Sequence, residues 1–163
     1  IMPSLVGSEM CIRDRLTYGH DRLQSRKIRH SKAIAELLIK HGANVKYNGT
    51  AVKDTVLHRA ALRGRTDLCQ LFIEKGAHVM AIDILGSSPL HNAAKAGYWE
   101  TVQLLLKHGA QAAVKDKFQK TALALAQMRK EEALNKEIRI ESTLDYNPGS
   151  DYDKTIEILS RAK

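Results

Sequence analysis

The sequence predicts an all-α fold of stacked antiparallel helix pairs, because short apolar segments recur along it at a fixed interval. Three Gly-Ala pairs close such segments, and they begin at Gly42, Gly76 and Gly109. The last two glycines lie 33 residues apart, and the same interval separates His58 from His91. A repeat of this length forms one helix pair that cannot bury its apolar face alone, so we expect a solenoid of stacked units.

The clearest unit, residues 80–112, predicts a turn followed by two helices. Pro89 follows two serines, which is typical of the first helical position, and Gly97 is the expected end of that helix. A second helix is predicted over about residues 99–107, where apolar side chains recur at i, i+3, i+4 spacing. Two helices joined by a tight turn leave one apolar side open to the next pair.

The unit before it, residues 46–79, has the same pattern with two differences. Val56 stands in place of the proline, so the start of its first helix is less sharply defined. Gly42 and Gly76 are 34 residues apart, so we expect one extra residue between positions 46 and 54.

The two ends of the chain depart from this pattern. Residues 1–15 resemble the translated remnant of a sequencing adapter, and we expect a non-native leader there. Residues 16–45 predict a degenerate first unit whose second helix alone is well defined. Residues 113–163 predict a closing unit, split by an insertion around 136–152 and completed by a short last helix.

One segment carries a family motif. Ser88-Pro89-Leu90-His91-Asn92-Ala93 matches the pattern T-P-L-H-x-A with serine in place of threonine. With the 33-residue period and the Gly-Ala closures, residues 33–128 resemble ankyrin repeats. The resemblance implies a solenoid of helix pairs with hairpin or turn tips along one edge. It also implies that His58 and His91 fix the turns by bonding to backbone.

The composition limits the classes of function. The net charge is +8, and residues 16–46 contribute +5 of it, which favours acidic partners or anionic surfaces. Cys69 lies on an apolar helix and is expected to be a buried core residue rather than a reactive thiol. No apolar run reaches membrane-spanning length. We identify no catalytic residues, no metal ligands and no cofactor motif.

The resemblance implies that a partner binds at the hairpin tips and on the exposed concave side of the first helices. Packing of the hairpins is an equally weighted explanation for the apolar tip residues. The predicted partner-binding residues are Arg59, Leu62, Arg63, Ile82, Ile84, Leu85, Asn92, Lys95, Tyr98, Lys115, Lys117 and Phe118.

The predicted function is therefore non-enzymatic protein binding, as an adaptor or regulatory scaffold. The expected partner is an acidic protein with an apolar anchor, and the fragment is expected to be a cytoplasmic or nuclear monomer. One alternative is electrostatic binding of nucleic acid or an anionic membrane through the basic N-terminal part. Another is a regulatory subunit that occludes the active site of an enzyme.

Overall fold

A computed structural model describes residues 24–47, 52–137 and 151–162. These residues form helices arranged as a layered stack, with an isolated bridge between Lys115 and Thr121. The seven helices of the described residues are α1 Gln24–Lys40, α2 Val56–Leu62, α3 Thr66–Glu74, α4 Pro89–Ala96, α5 Trp99–Lys107, α6 Ala122–Glu137 and α7 Tyr152–Arg161.

Local sequence explains the bounds of α4 and α5. Ser88 has extended backbone immediately before the helix, and Pro89 takes the first helical position. Gly97 ends α4 with φ 75°, the left-handed conformation that glycine adopts without a steric penalty. Both helices have the predicted bounds.

The helices form two layers. In one layer α2, α4 and α6 pack side by side, and in the other α1, α3, α5 and α7 do so. The core lies between the layers, and its largest fully buried side chains include Phe72, Leu57, Leu68, Leu90 and Leu105. Small residues such as Ala60 and Ala93 are also fully buried, and they let neighbouring helices approach closely. The all-α solenoid prediction is confirmed.

The first unit differs from a helix pair. We predicted a defined second helix preceded by a polar or poorly ordered segment, but α1 is one continuous 17-residue helix. The sequence between Gln24 and Lys40 contains neither glycine nor proline, so nothing in it breaks the helix. α1 packs chiefly against α3.

The last unit closes the stack with α6 and α7, which pack against each other. The short last helix predicted around Ile156 and Leu159 is confirmed as α7, and Leu159 is buried. The backbone N–H of Asp151 donates to the carbonyl oxygen of Gly97 at 2.8 Å, and the Lys154 ammonium lies 5.2 Å from the centre of the Trp99 ring. Most of the predicted insertion, residues 138–150, lies outside the described residues.

Cys69 is fully buried on α3, as predicted. Burial raises the pKa of its thiol to about 12. A thiol with this pKa carries almost no thiolate at neutral pH, so Cys69 acts as a small apolar core residue.

Candidate partner-binding surface

Two buried histidines attach the loops between units to the helices behind them. The Nε2 atom of His58 lies 3.0 Å from the carbonyl oxygen of Ser87, and that of His91 lies 3.1 Å from the carbonyl oxygen of Val114. On the other side of each ring, Nδ1 accepts the backbone N–H of Thr55 or Ser88 at 3.2 Å. This network requires the neutral ring with its proton on Nε2, and each ring therefore joins a helix start to the next loop.

Burial lowers the pKa of both His58 and His91 below the ordinary histidine value, because a charged ring loses its hydration inside the protein. The neutral form is also the one that can accept the backbone N–H at Nδ1. Both histidines therefore have the structural role that the resemblance implied, and their paired occurrence does not indicate catalysis.

The loops fold into two similar tips, which we call the middle tip (residues 81–87) and the last tip (residues 114–120). In the middle tip, one carboxylate oxygen of Asp83 accepts the backbone N–H groups of Leu85 and Ser87 at 2.8 and 2.9 Å. In the last tip, Asp116 accepts those of Phe118 and Lys120 at the same two distances. The aspartate of each tip therefore holds the turn from inside.

Backbone hydrogen bonds join consecutive tips. The N–H of Ile84 donates to the carbonyl oxygen of Val52 at 2.9 Å, and that of Lys117 donates to Leu85 at 2.9 Å. Since Val52, Leu85 and Phe118 are each 33 residues apart, they occupy one position in successive repeats. The extra residue of the 46–79 unit therefore lies before Val52.

That shared position carries an exposed apolar side chain in three places: before α2, in the middle tip and in the last tip. Val52 is 43% exposed, Leu85 47% and Phe118 64%, and we call these three residues the apolar row. Sequence reasoning missed Val52, although subtracting one period from Leu85 would have found it. Ile82 and Ile84 are exposed beside Leu85, so the middle tip projects three apolar side chains.

The charge that the tips offer to a partner is positive. The acidic residues of segments 52–54, 81–88 and 114–121 are Asp54, Asp83 and Asp116. Asp54 forms an ion pair with Arg59, and the other two accept backbone hydrogen bonds inside their tips. The exposed charged residues of these segments are Lys53, Lys115 and Lys117.

The side of α2, α4 and α6 that the resemblance implies is concave carries exposed side chains. Leu62 is exposed on α2, Lys95 on α4, and Met128 on α6, each one period after the last. Met128 was also missed in the sequence, and the period again identifies it. Eight of the predicted site residues are exposed: Leu62, Ile82, Ile84, Leu85, Lys95, Lys115, Lys117 and Phe118.

Other predicted site residues have partners within the fold. Arg59 pairs with Asp54, and the side-chain amide of Asn92 donates to the backbone carbonyl of His58 at 3.4 Å. The Tyr98 ring packs against Gly64, where a Cβ atom would overlap the ring. These three side chains are half-buried, as is Arg63. They therefore expose a smaller fraction of the side chain than the tip residues Leu85 and Phe118 do.

The described residues hold no group of three or more histidine, cysteine, aspartate or glutamate side chains placed to bind a metal ion. None of the helices in these residues has the length and apolar character needed to cross a membrane.

The layered helix pairs and projecting tips define a stacked-repeat protein that presents an extended surface. Residues 57–106 match the family model described as ankyrin repeats. These residues therefore form ankyrin repeats.

The chain is also similar to curated proteins. The chain is 37% identical over 92 residues to a transient receptor potential cation channel subfamily A member 1 homolog of Caenorhabditis elegans, covering 56% of this chain and 8% of that protein. It is 38% identical over 91 residues to human ankyrin repeat and SOCS box protein 6, covering 55% of this chain and 22% of that protein. The chain is 31% identical over 106 residues to the protein glp-1 of Caenorhabditis elegans, covering 61% of this chain and 8% of that protein. The alignments thus span less than a quarter of each relative.

Proposed function

We propose that this array is a non-enzymatic protein-interaction module, acting as an adaptor or regulatory scaffold. Its partner is an acidic segment that places an apolar anchor on the apolar row and the concave side. Ankyrin repeats are generally protein-interaction modules and typically non-catalytic, which supports the class of function.

The apolar row is the observation that carries this proposal. The tips are held in shape by hydrogen bonds of the backbone and of polar side chains. Leu85 and Phe118 take no part in these bonds with their side chains, and they remain about half exposed or more. An apolar side chain that remains exposed at the same position of each repeat gains burial only when a partner covers it. Hydrogen bonds between the tips hold the row in place before binding, which lowers the ordering cost of association.

The charge of the tips determines the preferred surroundings of the anchor. Lys115 and Lys117 are exposed just before Phe118 on the last tip, and the neighbouring carboxylate of Asp116 faces inward. A partner with aspartate or glutamate beside its apolar anchor is therefore attracted to this end of the surface.

Selection of a displayed random-peptide library against the immobilised full chain tests the proposal. We expect enriched peptides to combine an aromatic or aliphatic residue with flanking acids. Triple substitution of Leu62→Glu, Leu85→Glu and Phe118→Glu should weaken their binding at least tenfold without changing Tm. Leu134→Glu is the matched control, because Leu134 is 53% exposed on α6 and lies outside the predicted surface.

Equal binding of the selected peptides to the wild type and the triple variant would contradict the site. Binding of duplex DNA or anionic vesicles that survives the triple substitution and falls steeply with salt would favour the electrostatic alternative instead.

A further inference from the structure

The side of α1 that faces away from the rest of the stack carries an apolar surface. Ile34 is 44% exposed and Leu37 is 55% exposed, and the small side chain of Ala33 beside them is exposed too. We call these three residues the end face. The spacing of Ile34 and Leu37, three residues apart, places them one turn apart on the same side of the helix.

The opposite side of α1 already has its partner. Ala35 is fully buried, and Leu38 and Ile39 are half-buried against the core. α1 packs chiefly against α3 through this side. The helix is therefore apolar on two sides, which is typical of a helix with a neighbour on each of them.

The positions equivalent to Ile34 and Leu37 are covered in the next unit. Aligned on the helix-ending glycines, Ile34 corresponds to Leu68 and Leu37 to Leu71, which are 0% and 4% exposed. Thr101, one period after Leu68, is also 0% exposed.

The contact of Thr101 shows which direction this position faces. Its hydroxyl oxygen lies 2.8 Å from that of Thr66, which is on α3 in the preceding unit. This position is thus buried by helices on its N-terminal side. In the later units, α3 packs against α1 of the preceding unit and α2 of its own pair, and α5 packs against α3 and α4 in the same way.

Charge around the end face indicates the chemistry of what would cover it. Lys32 and Lys40 are exposed on α1, whereas Glu36 is the only acid of residues 32–40. A second copy would bring the same positive charge against this surface, and like charges in contact are unfavourable. Acidic groups at the rim of the occupant are favoured for the same reason.

We propose that the end face binds an amphipathic helix of another protein, whose apolar stripe is bordered by aspartate or glutamate. A helix fits because this surface is the side of a helix, and because helices cover the equivalent surface in the later units. The site is separate from the tips and does not depend on the function proposed for them.

The probe is a fluorescein-labelled 18-residue helical peptide with leucines at i, i+3, i+4 and i+7 and glutamates at the border of that stripe. Its anisotropy is measured with the full chain and with the double variant Ile34→Gln, Leu37→Gln. We expect saturable binding to the wild type, at least tenfold weaker binding to the double variant, and unchanged binding to Leu85→Glu. A peptide with lysines in place of the border glutamates should bind at least tenfold more weakly.

Absence of saturable binding, equal binding to the double variant, or equal binding of the lysine-bordered peptide would overturn the proposal. Light scattering and thermal unfolding test the other occupants. A wild-type dimer that dissociates in the double variant would show that a second copy covers the face. A fall of several degrees in the Tm of the monomeric double variant would show that the chain covers the face itself. We expect a wild-type monomer and an unchanged Tm.

Discussion

The middle tip and the last tip share one backbone and differ in the side chains that they project. Each has an aspartate that accepts two backbone N–H groups, and each is attached to the helix behind it by a buried histidine. Each also has one residue in the left-handed region, Gly86 with φ 72° and Gln119 with φ 60°. The repeat therefore specifies the conformation of both tips through the same few interactions.

The outward-facing side chains differ between the two tips. Ile82 and Ile84 of the middle tip correspond to Lys115 and Lys117 of the last tip, so two apolar side chains are replaced by two cations. Since these side chains do not hold the turn, they can differ without changing it. The residues that build a tip are therefore distinct from those that it projects outward.

Loss of either histidine tests whether the two tips depend equally on their attachments. His58→Ala and His91→Ala each remove a bond to the next loop and one at a helix start, and each leaves a cavity in a buried site. We expect each substitution to lower the free energy of unfolding by about 3 kcal/mol. Urea unfolding of the full chain measures both values.

His108→Ala is the control, because His108 is exposed and should cost less than about 0.5 kcal/mol. A large loss for one buried histidine and none for the other would show that the tips are held differently.

Acidification should weaken the attachments of both tips together. The pKa values of His58 and His91 are lowered in the folded protein, so the unfolded chain binds protons more readily. Their stabilising contribution is complete above the unfolded histidine pKa of about 6.5 and is lost as the pH falls below it. We expect Tm to fall between pH 7 and pH 5.

The double variant His58→Gln, His91→Gln should lose most of that pH dependence, although it is less stable overall. Thermal unfolding at a series of pH values, followed by circular dichroism, provides the measurement. A wild-type Tm that is constant between pH 7 and pH 5 would refute the assignment.

Substitution at the left-handed position should change the free energy of unfolding least. The change should have opposite signs in the two tips. In Gly86→Ala, the new Cβ would lie 3.2 Å from the backbone nitrogen of Lys117 at φ 72°, so we expect a loss of about 1–2 kcal/mol. Gln119→Gly relieves the strain of a side chain at φ 60°, partly offset by the greater freedom of glycine in the unfolded chain. We expect it to gain about 0.5 kcal/mol. Denaturant unfolding of both variants decides whether the tips share this geometry in solution, and effects of the same sign would argue against it.

The regular part of the fold could be predicted from the sequence because its signals are local. Pro89, Gly97 and Gly109 mark helix ends by their own backbone preferences, so α4 and α5 have the predicted bounds. The continuity of α1 was missed because we expected a polar or poorly ordered segment before its second half, although no glycine or proline breaks the helix there. Extrapolation from the regular repeat predicted the second half of α1 and its apolar residues. It did not predict that the residues before them are helical.

The surface was predictable only in part. Exposed residues of the tips could be inferred from the resemblance, whereas Val52 and Met128 were overlooked although the period identifies them. The packing of Tyr98 on Gly64 depends on a contact between two units, which no local pattern contains. The hydrogen bonds that Asp83 and Asp116 accept inside their tips likewise form only when the turn is folded.

The hydrogen bond between Asp151 and Gly97 has a consequence for how this array can change in length. Gly97 lies at the far end of α4 from the middle tip, so α7 begins at the edge opposite the tips. α6 runs 16 residues where α4 runs eight, and it therefore extends about 12 Å further in that direction. The segment that joins α6 to α7 thus starts and finishes away from the apolar row. A change in the length of that segment would therefore leave the tips in place.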